Sequence, residues 1–158
     1  DFFSTIGKDA DIEWIFHGWD GVLAQHRGIE LNYIPLKDLN PVFDYYTPVI
    51  ISSEDYLKDN PELAQKFLAA VKKGYEYCIK EPGKAADILL KHVPELNSDQ
   101  VKLSMDYLAN EYQANAEYWG YQSTDVWFAF ANWMNDEKLI NGTIDVEKAF
   151  SNKYLMPR

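Results

Sequence analysis

With 158 residues, 47% hydrophobic and 25% charged, the chain has the length and composition of one folded domain rather than of a disordered segment. Acidic residues outnumber basic ones by 25 to 15 and the longest basic run is Lys72-Lys73, so no stripe can neutralise a row of phosphates, which argues against a nucleic-acid partner. The apolar stretches, such as Pro48 to Ile51 and Ala85 to Leu90, fall well short of the roughly 20 residues a membrane helix requires.

The opening Asp1-Phe-Phe-Ser-Thr5 carries neither a signal peptide nor an initiator Met and runs straight into apolar sequence, so a fragment or a processed chain is expected. Asp11-Ile-Glu-Trp-Ile-Phe16 is a short run of β-formers. A second extended segment begins near Leu31, and a third covers Tyr45-Tyr-Thr-Pro-Val-Ile-Ile51, where Pro48 favours a sheet edge or a crossing segment. All three read as strands of an α/β fold. From Ser53 the pattern turns helical. Asn60 followed by Pro61 opens a long helix to about Lys80, with Leu63, Phe67, Val71, Tyr75 and Cys78 as its buried stripe. Pro82 starts another to about His92, and Pro94 ends it. Asn97 or Ser98 caps a third, with Val101, Met105, Leu108 and Tyr112 as its stripe. Ser123 or Thr124 caps a fourth, whose Val126, Trp127, Phe130, Trp133 and Met134 form an aromatic packing face, and Thr143 and Asp145 start a short last one.

The segment most loaded with chemistry is Trp14-Ile-Phe-His-Gly-Trp-Asp-Gly21. Its rings can sandwich a flat heterocycle, Asp20 or His17 can exchange hydrogen bonds with ring nitrogens, and Gly18 and Gly21 let the backbone approach closely. The plainer alternative is a turn whose rings pack inward. Asp44-Tyr45-Tyr46-Thr47-Pro48 is a second candidate, in which alternating side chains would point one face at a cleft. No nucleophile stands beside a base, no Gly-rich phosphate loop is present, and carboxylates do not pair at a diagnostic spacing. His17, His26 and Asp20 lack the fixed spacing of a metal site, so neither metal nor cofactor is expected. Cys78, the sole cysteine, falls on a helix stripe as a small core hydrophobe, and His92 falls in a last helical turn, where it suits the dipole.

Together Trp14 to Gly21, Arg27-Gly-Ile-Glu-Leu-Asn32, Asp44 to Ile51, Asn60-Pro-Glu-Leu63, Lys73-Gly-Tyr-Glu-Tyr77 and the closing Trp133 to Phe150 stretch resemble, in order, the thiamine-pyrimidine-precursor solute-binding proteins of ABC importers. These are homologous to the fungal pyrimidine-precursor synthases. The resemblance implies a type II periplasmic-binding-protein-like α/β fold of which this chain is the C-terminal portion. Residues 1–44 would be part of the second lobe with the ligand-side turn, 45–52 a hinge or crossing strand, and 53–158 the helical completion of the first lobe. It implies Trp19, Asp20, Tyr45 and Tyr46 near the ligand, beside His17 and Gly18 of the same turn. It also implies a small aromatic heterocycle as ligand, ABC permease subunits as partners, and an extracytoplasmic location with membrane association only through an N-terminal lipid anchor outside this chain. One departure bears on the ligand: relatives often carry acidic residues where this chain reads Gly21-Val-Leu-Ala-Gln25, so Leu23 takes the place of a carboxylate that would pair with an aminopyrimidine. The alternative on the same fold is a pyrimidine-precursor synthase-like enzyme.

Overall fold

The computed structural model describes residues 2–155. In chain order the helices are α1 (Phe2–Thr5), α2 (Val22–His26), α3 (Leu36–Leu39), α4 (Glu54–Asp59), α5 (Pro61–Lys80), α6 (Pro82–His92), α7 (Ser98–Leu108), α8 (Thr124–Asp136) and α9 (Val146–Ala149). A π-helical turn, His17–Gly21, runs directly into α2, and a 3₁₀ turn, Pro41–Phe43, follows α3. Their starts follow local chemistry. Pro61 and Pro82 occupy first-turn positions, where a missing N–H costs nothing. Side-chain oxygens of Ser53, Asn97 and Ser123 accept from Tyr56 N–H (3.2 Å), Gln100 N–H (2.9 Å) and Asp125 N–H (3.3 Å) respectively. Asn60 precedes α5, where its carbonyl accepts from Ala64 N–H (3.1 Å), and its side-chain amide donates to the Tyr56 carbonyl (3.3 Å) at the end of α4. Asn97→Ala is expected to destabilise the chain by about 1 kcal/mol, read as a lower urea midpoint at unchanged slope.

The three expected strands are corrected by the structure. Among the described residues the only β pairing is a single isolated bridge between Ile6 and Ala10. Residues 11–16, 30–35 and 45–52 are non-helical and join no ladder. The physical reason is that β-propensity describes a surface waiting for a neighbour, and a strand exists only when a second backbone takes up its N–H and C=O groups. The α/β expectation thus becomes, for the described residues, a helical architecture.

The stripe of α5 is corrected as well. Leu63 and Phe67 are 53% and 55% exposed, and the covered face runs Ala64, Leu68, Val71, Tyr75 and Cys78. Positions four apart advance about 40° around a helix at each step, so a run of fours drifts off the face that alternating fours and threes keep.

The chain divides into two compact units, Asp1–Tyr33 with Tyr75–Ala114, and Ile34–Gly74 with Asn115–Arg158; α5 belongs to the second up to Gly74 and to the first beyond it. In the first unit α2 and the π-helical turn pack on α7, and α6 packs on the same helix. Val22, Leu23 and Ala24 of α2, Val101 and Ser104 of α7, and Ala85 and Ala86 of α6 are buried there, the alanines letting α6 and α7 come close. In the second unit α8 packs against α9 and the 3₁₀ turn, with Ala131, Val146 and Trp119 buried. The expected aromatic face of α8 does this packing: Trp127 stacks on Phe150 (5.3 Å between centroids), and Trp133 meets Phe43 edge-on (5.0 Å).

Candidate functional site

The most loaded segment of the sequence, Trp14 to Gly21, ends in the π-helical turn His17–Gly21 of the first unit. The N–H groups of Trp19 and Asp20 both donate to the Phe16 carbonyl (2.9 Å each), and Val22 N–H reaches back to the His17 carbonyl, which closes the wide turn. Two glycines make it feasible. A Cβ on Gly18 would stand 2.8 Å from Leu108 Cδ2 and 3.1 Å from Tyr107 Cδ1, so glycine lets the turn lie on α7 without displacing those side chains. A Cβ on Gly21 would collide with His17 Nδ1. The Gln100 side chain, also on α7, donates to the Trp19 carbonyl (3.4 Å) and ties the turn down from the same side.

His17 is held between rings. It stacks on Tyr33 (4.1 Å, 24°) and meets Tyr107 edge-on (5.1 Å, 67°), and its buried Nδ1 has no hydrogen-bond partner among the described residues. Burial, with lesser contributions from Glu111 and Tyr33, pushes the Tyr107 phenol above its ordinary pKa, so it stays neutral at any physiological pH. Trp19 and Asp20 are treated differently. Both are half-buried, and among the described residues the indole has no ring partner and the carboxylate no hydrogen bond or ion pair. An ionised carboxylate can only accept, so Asp20 offers acceptor sites to whatever carries an N–H or O–H.

Tyr45 and Tyr46 belong to the second unit, and both are engaged there. Tyr45 stacks on Phe130 (4.4 Å, 25°), and the Tyr46 hydroxyl accepts from Ser123 N–H (2.8 Å) at the start of α8. The six candidates therefore sort by occupation. Gly18 is spent on close approach, His17 and Tyr45 on stacking and Tyr46 on a backbone donor, while among the described residues the Trp19 indole has no ring partner and the Asp20 carboxylate no hydrogen bond or ion pair. Leu23 is only 4% exposed and packs in the first unit's core, so at this position, where the resemblance suggests an acid, the chain has a packing residue. Tyr33, Tyr107 and Gln100, which frame the turn, are neighbours that the sequence reading missed; only the β-former run at Leu31 to Ile34 hinted at Tyr33.

A family model described as NMT1/THI5 like matches residues 1–85, which include the turn and both tyrosines. The chain belongs to this family. Among its relatives is the riboflavin-binding protein RibY of Chloroflexus aurantiacus, 27% identical over 140 residues that cover 85% of this chain and 39% of that protein. Another is the formylaminopyrimidine-binding protein of Halalkalibacterium halodurans, 27% identical over 139 residues, 82% of this chain and 40% of the relative. A shorter match, 38% over 55 residues, covers 35% of this chain and 16% of the 4-amino-5-hydroxymethyl-2-methylpyrimidine phosphate synthase THI5 of Saccharomyces cerevisiae. The chain thus spans about two-fifths of the length of the two binding proteins. The two longer matches are to proteins named for binding, and the shorter one is to a synthase.

Proposed function

We propose that this chain is the C-terminal part of a two-lobed, extracytoplasmic solute-binding protein that captures a thiamine-pyrimidine precursor or a related nitrogen heterocycle for an ABC importer. The observation that carries this reading is that Trp19 and Asp20, neighbours on a turn braced by Gly18, Tyr107 and Gln100 within the family-matched region, have among the described residues no ring partner for the indole and no hydrogen bond or ion pair for the carboxylate. The names of the two long relatives, one for riboflavin and one for formylaminopyrimidine, support a flat, nitrogen-rich ligand. Trp19 supplies a stacking face, and Asp20 selects ligands that present a ring N–H or amino group. His17, fixed by Tyr33 and Tyr107, borders the same turn, and Tyr45 and Tyr46 lie in the segment 45–52 that we assign to the lobe crossing. Residues 1–44 then belong to the second lobe and 53–158 complete the first with helices. Closure of the lobes on the ligand requires no cofactor and hands the complex to a permease, with a lipid anchor outside this chain as the only membrane attachment.

The test is tryptophan fluorescence of the complete product of the reading frame, titrated with hydroxymethylpyrimidine, its formylamino precursor, thiamine and riboflavin. One of the four is expected to quench saturably, with Trp19→Ala and Asp20→Asn each weakening its affinity about tenfold. Flat titrations with all four would sink the reading. The 38% identity over 55 residues to the yeast synthase supports a second reading, an enzyme of pyrimidine-precursor synthesis on the same fold. Recovery of the bound molecule chemically unchanged after prolonged incubation counts against it.

A further inference from the structure

Of the ten asparagines in the chain only Asn141 is followed by glycine. An asparagine can be attacked at its side-chain amide carbon by the backbone nitrogen of the next residue, because a few covalent bonds already hold the two close and their union makes a five-membered ring. A Cβ on that next residue crowds the approach, and glycine has none. Asn40 and Asn60 precede proline, which has no N–H to give up.

The fold leaves Asn141 open to this reaction. Residues 139–145 link α8 to α9 without helix or strand, and Asn141 and Gly142 are both exposed. Among the described residues neither the Asn141 side chain nor the Gly142 N–H makes a hydrogen bond. Gly142 has φ +99°, and a Cβ built on it would meet nothing within 4 Å, so no neighbour packs against this stretch of backbone. Other asparagines are held. The Asn97 side chain, which precedes a small serine, accepts from Gln100 N–H at the start of α7 (2.9 Å), and Asn152 accepts from and donates to the Gln122 backbone (3.0 and 2.8 Å).

We propose that Asn141-Gly142 is a self-modification site, at which the Gly142 amide nitrogen closes on Asn141 Cγ and the side chain is deamidated. The Gly142 N–H gives its proton to solvent base and the nitrogen bonds to Cγ. The bond from Cγ to the side-chain nitrogen then breaks, and that nitrogen takes up a proton and leaves as ammonia. Water adds to one of the two carbonyls of the cyclic imide and opens it to an aspartyl or an isoaspartyl residue. The net change is NH₂ for OH, needs no oxidant or reductant, and takes the formal net charge from −10 to −11. The isoaspartyl product also adds one backbone carbon to the link that seats α9 on α8, where Val146 is 2% exposed.

Cleavage after Lys138 and Lys148 isolates residues 139–148, which hold no other asparagine, so peptide mass spectrometry of the folded chain during storage at neutral pH reads this site alone. That peptide is expected to convert at least about tenfold faster than any other asparagine-containing peptide. Its rate should rise about tenfold for each pH unit between 7 and 9, since the attacking nitrogen must first lose its proton. In urea the rate should stay within about threefold of that in the folded chain, because an open loop needs no unfolding to react. An isoaspartyl methyltransferase supplied with S-adenosylmethionine should label the stored chain and leave stored Asn141→Gln unlabelled, whose longer side chain would have to close a six-membered ring. An amide at position 141 that survives in the folded chain and is lost only in urea overturns the proposal, since the loop would then hold the two groups apart. Conversion without methyl acceptance, which is direct hydrolysis, also overturns it, as does methyl acceptance undiminished in Asn141→Gln.

Discussion

At pH 7, Leu23→Glu is expected to lower unfolding free energy by about 3–5 kcal/mol, because it removes a buried aliphatic group and forces a carboxylate into an apolar contact. Leu23 is buried where α2 packs on α7, with Val22, Ala24 and Val101 also buried in the same unit. Among the described residues no basic side chain is buried in that core to receive a charge. Desolvation there disfavours the ionised form, so the folded-state pKa of an introduced Glu lies above its unfolded value. The sign follows: the penalty is full at neutral pH and shrinks as pH falls through the folded-state pKa, since the protonated acid is the form the core tolerates. Leu23→Met, which conserves volume, should cost less than about 1.5 kcal/mol. Urea midpoints of both variants between pH 4 and 8 decide the matter. A loss below about 1 kcal/mol for Leu23→Glu would mean that the side chain reaches solvent or a cleft, and would restore the ligand-facing role that the resemblance gives this position.

The helix starts were legible because their causes are local. Pro61, Pro82, Asn97 and Ser123 act within a few residues of themselves, and no distant contact is needed to make a cap or to tolerate a missing N–H. The face of α5 was not, because Leu63 and Phe67 are as apolar as the residues that do pack, and the choice between neighbouring faces is made by what lies opposite. The strands failed for the same reason in a stronger form: Ile12, Trp14 and Phe16 carry the right period, but a ladder is a property of two backbones. At the site, composition alone singled out the turn from Trp14 to Gly21. It did not tell Trp19 and Asp20, whose side chains have no ring, hydrogen-bond or ion-pair partner among the described residues, from His17, Tyr45 and Tyr46, which are engaged. That distinction depends on Tyr33, Tyr107, Phe130 and Ser123, residues far along the chain that only the fold brings near.

In alkali the first unit is expected to lose about 1–2 kcal/mol of stability between pH 10 and 12, with Tyr112 as the main cause. Its phenol is pushed up to about 12, chiefly by burial and further by Cys78 and Tyr75. Tyr75 meets the ring edge-on at 4.8 Å, and the hydroxyl donates to Met105 Sδ at 3.7 Å, a soft contact that accommodates the neutral phenol and gives a phenolate nothing. In the unfolded chain the group titrates near 10. Because the folded-state pKa is the higher one, the stabilisation is complete below pH 10 and is lost as pH rises toward 12. A shift of two units corresponds to about 2.7 kcal/mol, and partial solvent access screens it to the smaller figure. Cys78, whose thiol burial also raises, steepens the same loss from a lower pH. Tyr112→Phe should flatten the stability profile above pH 10 while costing little at pH 7, where only the weak bond to sulfur disappears. Urea unfolding across pH 8–11.5, with tyrosinate absorbance on the same samples, measures both. An unchanged alkaline slope in Tyr112→Phe would assign the loss to the exposed tyrosines and general charge repulsion instead.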